Sequence, residues 1–198
     1  MHRKVTFRPD QKVTDDDLNN IGRFPRASFD TLVAEAVSTL RYFTGFVATK
    51  TGQTEVTVSP GHHWAGGPVY ERPDLTVFNM LTGGSYMPTV TKRIVAIVTW
   101  GETSDTDVQE RSFVIDDEGN TEPQSVAMES LRYARLSLVA GAESPDPRKP
   151  TLEGAITPVA WVLLDTSGVV SIEDATEHRL PSVESLRQHV RTINAWRA

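Results

Sequence analysis

His62 and His63 are the first residues whose types suggest chemistry, because imidazole serves both metal ligation and proton transfer. Neighbours on a strand point to opposite faces, so the two cannot share one ion without a bend. His2, His178 and His189 are remote and complete no spaced ligand motif. With no cysteine in the chain, thiolate metal sites, thiol nucleophiles and disulfides are excluded. Asp105, Asp107 and Glu110, and then Asp116, Asp117 and Glu118, are dense in carboxylates but lack the ligand spacing of a calcium loop. They read as solvated turns. A glycosidase pair needs two acids held across a cleft, and 26 acidic residues single out none. Gly83-Gly84-Ser85 is not a nucleophile elbow, and Gly66-Gly67-Pro68 is neither a phosphate loop nor a dinucleotide fingerprint. The sequence therefore offers no catalytic residue, no metal site and no cofactor site, and it is read as a non-enzyme.

The elements that carry these residues are legible from periodicity. Thr14-Asp15-Asp16-Asp17 reads as a short helical start, with carboxylates at the positive end of the dipole. Phe29, Leu32, Val33, Ala36, Val37, Leu40 and Phe43 recur at spacings of three and four, which predicts a helix over about 26–43, with Pro25 in its first turn and Gly45 as its stop. Beyond it the pattern turns to strands. Glu55 to Val58 alternates and ends at Ser59-Pro60-Gly61, His62 to Tyr70 is interrupted at its glycines, and Leu75 to Leu81 is a third short strand. Lys92 to Trp100 contains five apolar residues in a row, a pattern that calls for cover on both faces. Arg111 to Ile115 reads as its partner, followed by a turn at 116–120. Met128 to Ala140 fits a helix on propensity and a strand on its partial alternation; its neighbours favour the strand. Three prolines make 143–150 a loop, and Val159 to Leu164 and Val169 to Ile172 close the strand region. After Pro181 and the capping residue Ser182, Val183, Leu186, Val190 and Ile193 form an a/d seam two heptads long, with Trp196 beside it. So short a helix does not stand alone in water, so it packs on its own domain or on further copies.

The fold class expected is thus α+β: a β-rich core of short, mostly antiparallel strands with amphipathic helices near both termini. Its parts are an N-terminal arm and helix (1–45), the core (46–178) and a C-terminal amphipathic helix (179–198). At 198 residues and 21.9 kDa this is one domain with appendages. A net charge of −6 argues against a nucleic-acid partner, because no excess positive charge is present to displace counterions. The apolar runs are strand-sized, and nothing resembles a signal peptide or a membrane span. Trp100 and Trp161 belong to strong strands and are expected in the core; Trp64, among glycines, is placed at a groove or a subunit contact. Trp196 packs either within the chain or on a partner, since an indole is costly to leave in water.

Several stretches resemble bacteriophage tail and baseplate structural proteins. They are Thr14 to Asn20, Phe24 to Asp30, Arg41 to Phe46, Ser59-Pro60-Gly61 with Ala65-Gly66-Gly67, and Trp100-Gly101-Glu102, followed by Val126 to Glu129, the Gly141 to Pro147 loop and Gly168 to Glu173. The resemblance spans nearly the whole chain and implies a virion structural subunit: a ring, adaptor or fibre anchor that meets other tail proteins, resides in the virion after assembly in the host cytoplasm, and forms a trimer or a larger ring. The number of copies comes from the resemblance, since the seam alone does not fix it. The residues assigned to contacts are Phe29, Leu32, Val33, Val37, Leu40, Trp64, Leu186, Val190, Ile193 and Trp196. A carbohydrate- or protein-binding module built on Trp64, Tyr70 and Tyr86 is the alternative, and a phage-borne envelope hydrolase comes third.

Overall fold

The structure, a computed structural model, describes residues 4–6, 14–82, 86–115, 118–181 and 186 of the 198. One helix, α1 (Asp15–Ala36), leads into β1 (Arg41–Gly45), β2 (Ala48–Lys50), β3 (Glu55–Val58), β4 (Gly61–Ala65), β5 (Val69–Arg72) and β6 (Thr76–Asn79). Two long strands follow, β7 (Lys92–Val114) and β8 (Thr121–Ala140), and then β9 (Thr157–Asp165) and β10 (Gly168–Asp174). The strands form a seven-stranded sheet in the order β1-β4-β5-β8-β7-β9-β10 and a three-stranded sheet in the order β2-β3-β6. Every pairing is antiparallel except β5 with β8, where Glu71 faces Tyr133.

The small sheet covers one face of the large one. In β3 the alternation read from sequence is realised: Val56 and Val58 point inward and are fully buried, while Glu55 and Thr57 are half-buried. They join Val95 and Ile97 of β7 and Val162 and Leu164 of β9 in the main core. Each such aliphatic side chain contributes about 1.5–3 kcal/mol by leaving water. On the opposite face, Ala96 and Val98 pack with Trp161 and Ala175, with Ile94, Trp100 and Val139 around them. The apolar run of β7 is therefore covered on both sides, as its sequence demanded. Trp161 and Trp100 both lie in or against this second cluster. The loop ahead of β7 is clasped by Glu143, whose carboxylate accepts the amides of Thr89, Val90 and Thr91. Those amides, Thr91 foremost, hold its pKa down at about 2.

The α+β expectation with helices near both termini is corrected. Among the described residues 52% are in strands and 14% in helix, and α1 is the single helical element of any length. The expected helix over 26–43 begins earlier and ends earlier. It absorbs the Thr14–Asp17 start, so Pro25 lies mid-helix, and Arg41 to Phe43 belong to β1. Ser38 Oγ accepts the Leu40 amide and gives the backbone an alternative to another helical turn. Tyr42-Phe43-Thr44 then favours a strand, and Phe43 is buried in the core from there. At the other end Arg179 and Leu180 run extended beside β1, and the Leu180 amide donates to the Phe43 carbonyl at 2.9 Å. An edge strand leaves carbonyls to be satisfied, and Pro181 biases Leu180 away from helical angles. The seam residues Val183, Val190 and Ile193, together with Trp196, lie outside the described residues; Leu186 is helical and half exposed. Arg111 to Ile115 does not form a partner strand: β7 runs unbroken to Val114, and its partner is β8. The strand reading of Met128 to Ala140 holds, within a strand that already starts at Thr121.

Candidate assembly interface

Helix α1 meets the body around Asp30, Val33 and Ala34, its middle lines a small pocket with Lys4 and Val5 through Asn20, Phe24 and Pro25, and one apolar stripe of it is exposed. Asp30 makes a bidentate ion pair with Arg132 of β8, and both side chains are about four-fifths shielded. Close by, the backbone of Asp30 passes over Gly67, where a Cβ would lie 2.9 Å from the Asp30 carbonyl oxygen. Gly66 and Gly67 both have positive φ, so this turn needs glycine for its conformation and for the helix's approach. Val33 is the one buried apolar residue of the helix. Leu18, Ile21, Phe29 and Leu32 are each more than half exposed. With Pro25 they fall at spacings of three, four, four and three, one stripe of an α-helix. Just past the helix, Val37 and Leu40 are exposed as well. Of the assigned contact residues on this segment, Phe29, Leu32, Val37 and Leu40 thus face solvent and Val33 faces inward.

The second surface is an arm. β7 pairs with β9 from Lys92 to Thr99 and with β8 from Val95 onward, so from Glu102 to Val114 it pairs with β8 alone. The register between them is constant, from Val95 facing Ala140 to Val114 facing Thr121. The two-stranded ribbon beyond Glu102 and Tyr133 projects about 40 Å at some 3.3 Å per residue. Ion pairs and cation–π contacts fix its base: Arg135 with Glu102 at 2.8 Å, Arg132 with Asp30, and Tyr133 between the guanidinium groups of Arg72 and Arg135. Further out both faces meet solvent. Val108 and Leu131 lie on one face and Phe113 and Met128 on the other, with exposures between 36% and 64%.

The histidines go to opposite sides, as adjacent strand residues must. His62 is exposed; His63 is buried against Tyr70, with ring centroids 6.1 Å apart. Burial, with Arg41 adding to it, pushes the His63 pKa down to about 4, so the ring is neutral at physiological pH. Among the described residues no group of three or more His, Asp or Glu side chains could hold a metal. Trp64 is half-buried and its indole N–H donates to Thr44 Oγ1 at 3.1 Å. Tyr70 lies over Gly101, where a Cβ would be 2.3 Å from the ring, and Tyr86 packs against the main core. An open cleft of about 550 Å³ is lined by Arg41, Tyr42, Glu177 and His178, with His178 Nε2 at 3.9 Å from Glu177 Oε1.

Sequence reasoning missed Leu18 and Ile21, although their spacing to Pro25, Phe29 and Leu32 was available. It also missed the arm. The signal there was weaker, because Gly101 to Gln109 is rich in Ser, Thr and Asp and its apolar residues are sparse, as in any ribbon without a buried face.

No known protein family matches this chain, and no curated protein does. Among solved structures it is similar to the crystal structure of TssK, with a TM-score of 0.42 and 9% identity over 87% of this chain. The alignment covers 41% of that protein, so this chain spans about two-fifths of its length. At that identity and score nothing of TssK's role is carried over to this chain.

Proposed function

We propose that this chain is a structural subunit of a bacteriophage tail or baseplate, an assembly or adaptor protein or a fibre anchor that works by making contacts and turns over no substrate. The observation that carries the reading is the apolar surface left in water on two elements at the margin of the sandwich. These are the α1 stripe from Leu18 to Leu32 and both faces of the β7–β8 arm. A two-stranded ribbon is marginal by itself in water, and an apolar helix stripe gains by being covered. Both fit a chain that completes its burial in an assembly. The resemblance of its sequence words to tail and baseplate proteins points the same way and suggests a trimer or a larger ring in the virion. The assigned residues Phe29, Leu32, Val37 and Leu40 belong to the first surface, and Leu186, Val190, Ile193 and Trp196 are proposed as a further one.

The carbohydrate-module reading has less support. Trp64, Tyr70 and Tyr86 are engaged by Thr44, Gly101 and the core, which leaves no flat aromatic platform among them. The test is mass in solution by light scattering over a concentration series. A stable mass near three times 21.9 kDa supports the reading. A monomer at every concentration that also fails to bind other tail proteins overturns it.

A further inference from the structure

The cleft of about 550 Å³ at the start of β1 gathers polar groups that the body leaves unused. Arg41 is the first. Every other arginine on a strand has a partner: Arg72 donates to Thr76, Arg93 to the Tyr86 carbonyl, Arg111 to Gln109, Arg132 to Asp30 and Arg135 to Glu102. Among the described residues the Arg41 guanidinium has no ion pair and no hydrogen bond. Thr157 is the second. It is 2% exposed, and its Oγ1 has no hydrogen-bond partner among the described residues. A buried hydroxyl left unpaired costs stability, which a polar group entering the cleft restores. Glu177 and His178 come from the 3-10 turn Thr176–His178, and their side chains pair only with each other, at 3.9 Å. Tyr42 and Ile156, both half-buried, add apolar surface to the lining.

We infer that this cleft binds a uronic acid residue of a saccharide, with the carboxylate on Arg41, ring hydroxyls on Glu177, His178 and Thr157, and ring C–H groups against Tyr42 and Ile156. The charges select this class. A guanidinium without a partner in its own chain calls for an anion, and its fork offers two parallel donors that match a carboxylate. Glu177 lines the same cleft without pairing with Arg41, so it repels a phosphate or any ligand of higher negative charge. What fits both is a single carboxylate on a body rich in hydroxyls, because the carboxylate of Glu177 and the imidazole of His178 accept O–H donors. Size agrees with this. Ligand clefts run from about 300 to 1,000 Å³, and this one leaves room for the neighbours of one ring in a chain. The cleft shares only Leu40 with the contact surfaces proposed above and uses none of Trp64, Tyr70 and Tyr86. The inference therefore goes beyond the assembly reading and does not depend on it.

The experiment titrates the full-length, nitrogen-15-labelled chain with methyl glucuronide, which mimics a uronate within a saccharide, and follows the amide signals by NMR. Methyl glucoside, free glucuronate and inorganic phosphate are the comparison ligands. Expected are saturable shifts around Arg41, Thr157 and Glu177–His178, with the glucoside weaker by about tenfold or more and no response to phosphate. Arg41→Ala should weaken the glucuronide by about tenfold or more. Glu177→Gln removes the repulsion and should let phosphate bind. Both side chains are exposed, and circular dichroism checks that the variants keep the fold. The site is overturned by an absence of saturation, by a glucoside that binds as well as the glucuronide, by phosphate binding to wild type, by free glucuronate binding where its glycoside does not, or by Arg41→Ala binding unchanged. None of these outcomes bears on the mass in solution, which tests the assembly reading separately.

Discussion

The two halves of β7 belong to one strand and keep one register with β8, yet they live in different solvents. From Val95 to Thr99 every side chain is buried, between the small sheet on one face and the Trp161 cluster on the other. From Glu102 outward no residue is buried, and the same backbone ladder continues between two strands alone. The ladder is therefore not what stabilises the body. Its hydrogen bonds are common to both halves, and each contributes only about 1 kcal/mol net. What differs is apolar area removed from water. The arm is a segment whose backbone is ordered while its apolar side chains stay in contact with water.

The sharpest way to break this comparison is truncation on each half. Ile97→Ala should cost the isolated chain about 3–4 kcal/mol in denaturant unfolding, because a packed side chain is lost and a cavity is left. A loss below about 1 kcal/mol would mean that the body is as loosely packed as the arm.

Acid gives the next largest effect. The folded pKa of His63, about 4, lies below its ordinary 6.5, so the unfolded chain binds the proton more readily. The stability this contributes is fully present above pH 6.5 and is lost as pH falls from 6.5 through 4, by about 3 kcal/mol in all. Unfolding curves of wild type and His63→Leu measured from pH 7 to 4 should converge by that amount; parallel curves would show that His63 is accessible to solvent. Glu143 acts in a separate, lower window: its contribution is present above about 4.5 and disappears as pH falls toward 2.

At the seam between body and arm, Asp30→Ala leaves Arg132 without its partner and should cost about 1–2 kcal/mol, since the pair is bidentate and mostly shielded. Hydrogen exchange should then quicken in α1 before it does in β9. Equal exchange in both would show that the helix is held elsewhere.

The smallest effect sharpens the contrast most. Val108→Ala and Leu131→Ala should each change monomer stability by less than about 0.5 kcal/mol, while lowering any concentration-dependent association. A large loss in the monomer would mean that the arm is already covered by its own chain.

How far the sequence could be read follows the same division. Strands with a buried face announced themselves, because burial imposes a pattern: the alternation of β3, the apolar run of β7, the block at Val159 to Leu164, and the glycine break between β4 and β5. The arm was read as a fragment, Arg111 to Ile115, paired to the wrong strand. With both faces in water nothing enforces alternation, and a turn-rich composition is allowed there. The C-terminal limit of the helix was misjudged for a related reason. Leu40 and Phe43 continue the helical spacing of Phe29 to Val37, and spacing cannot tell a residue that ends a helix from one that begins the next strand. Phe29, Leu32, Val33, Val37 and Leu40 were read as one apolar group; four of them are exposed, and nothing local said that Val33 would turn inward.

By itself the sequence determined the absence of cysteine chemistry, the opposite directions of His62 and His63, the strand identity of the core and the concentration of acidic residues between 103 and 131. All of these are local: they follow from residue type and from the period of the backbone. Only the tertiary structure decided that β7 and β8 outrun their sheet, that α1 is anchored by Asp30 on Arg132 a hundred residues away, and that Tyr70 occupies the space Gly101 leaves. These depend on which strands are neighbours. Pairing between strands distant in sequence is settled by the burial of the whole sheet, which no window of the sequence contains.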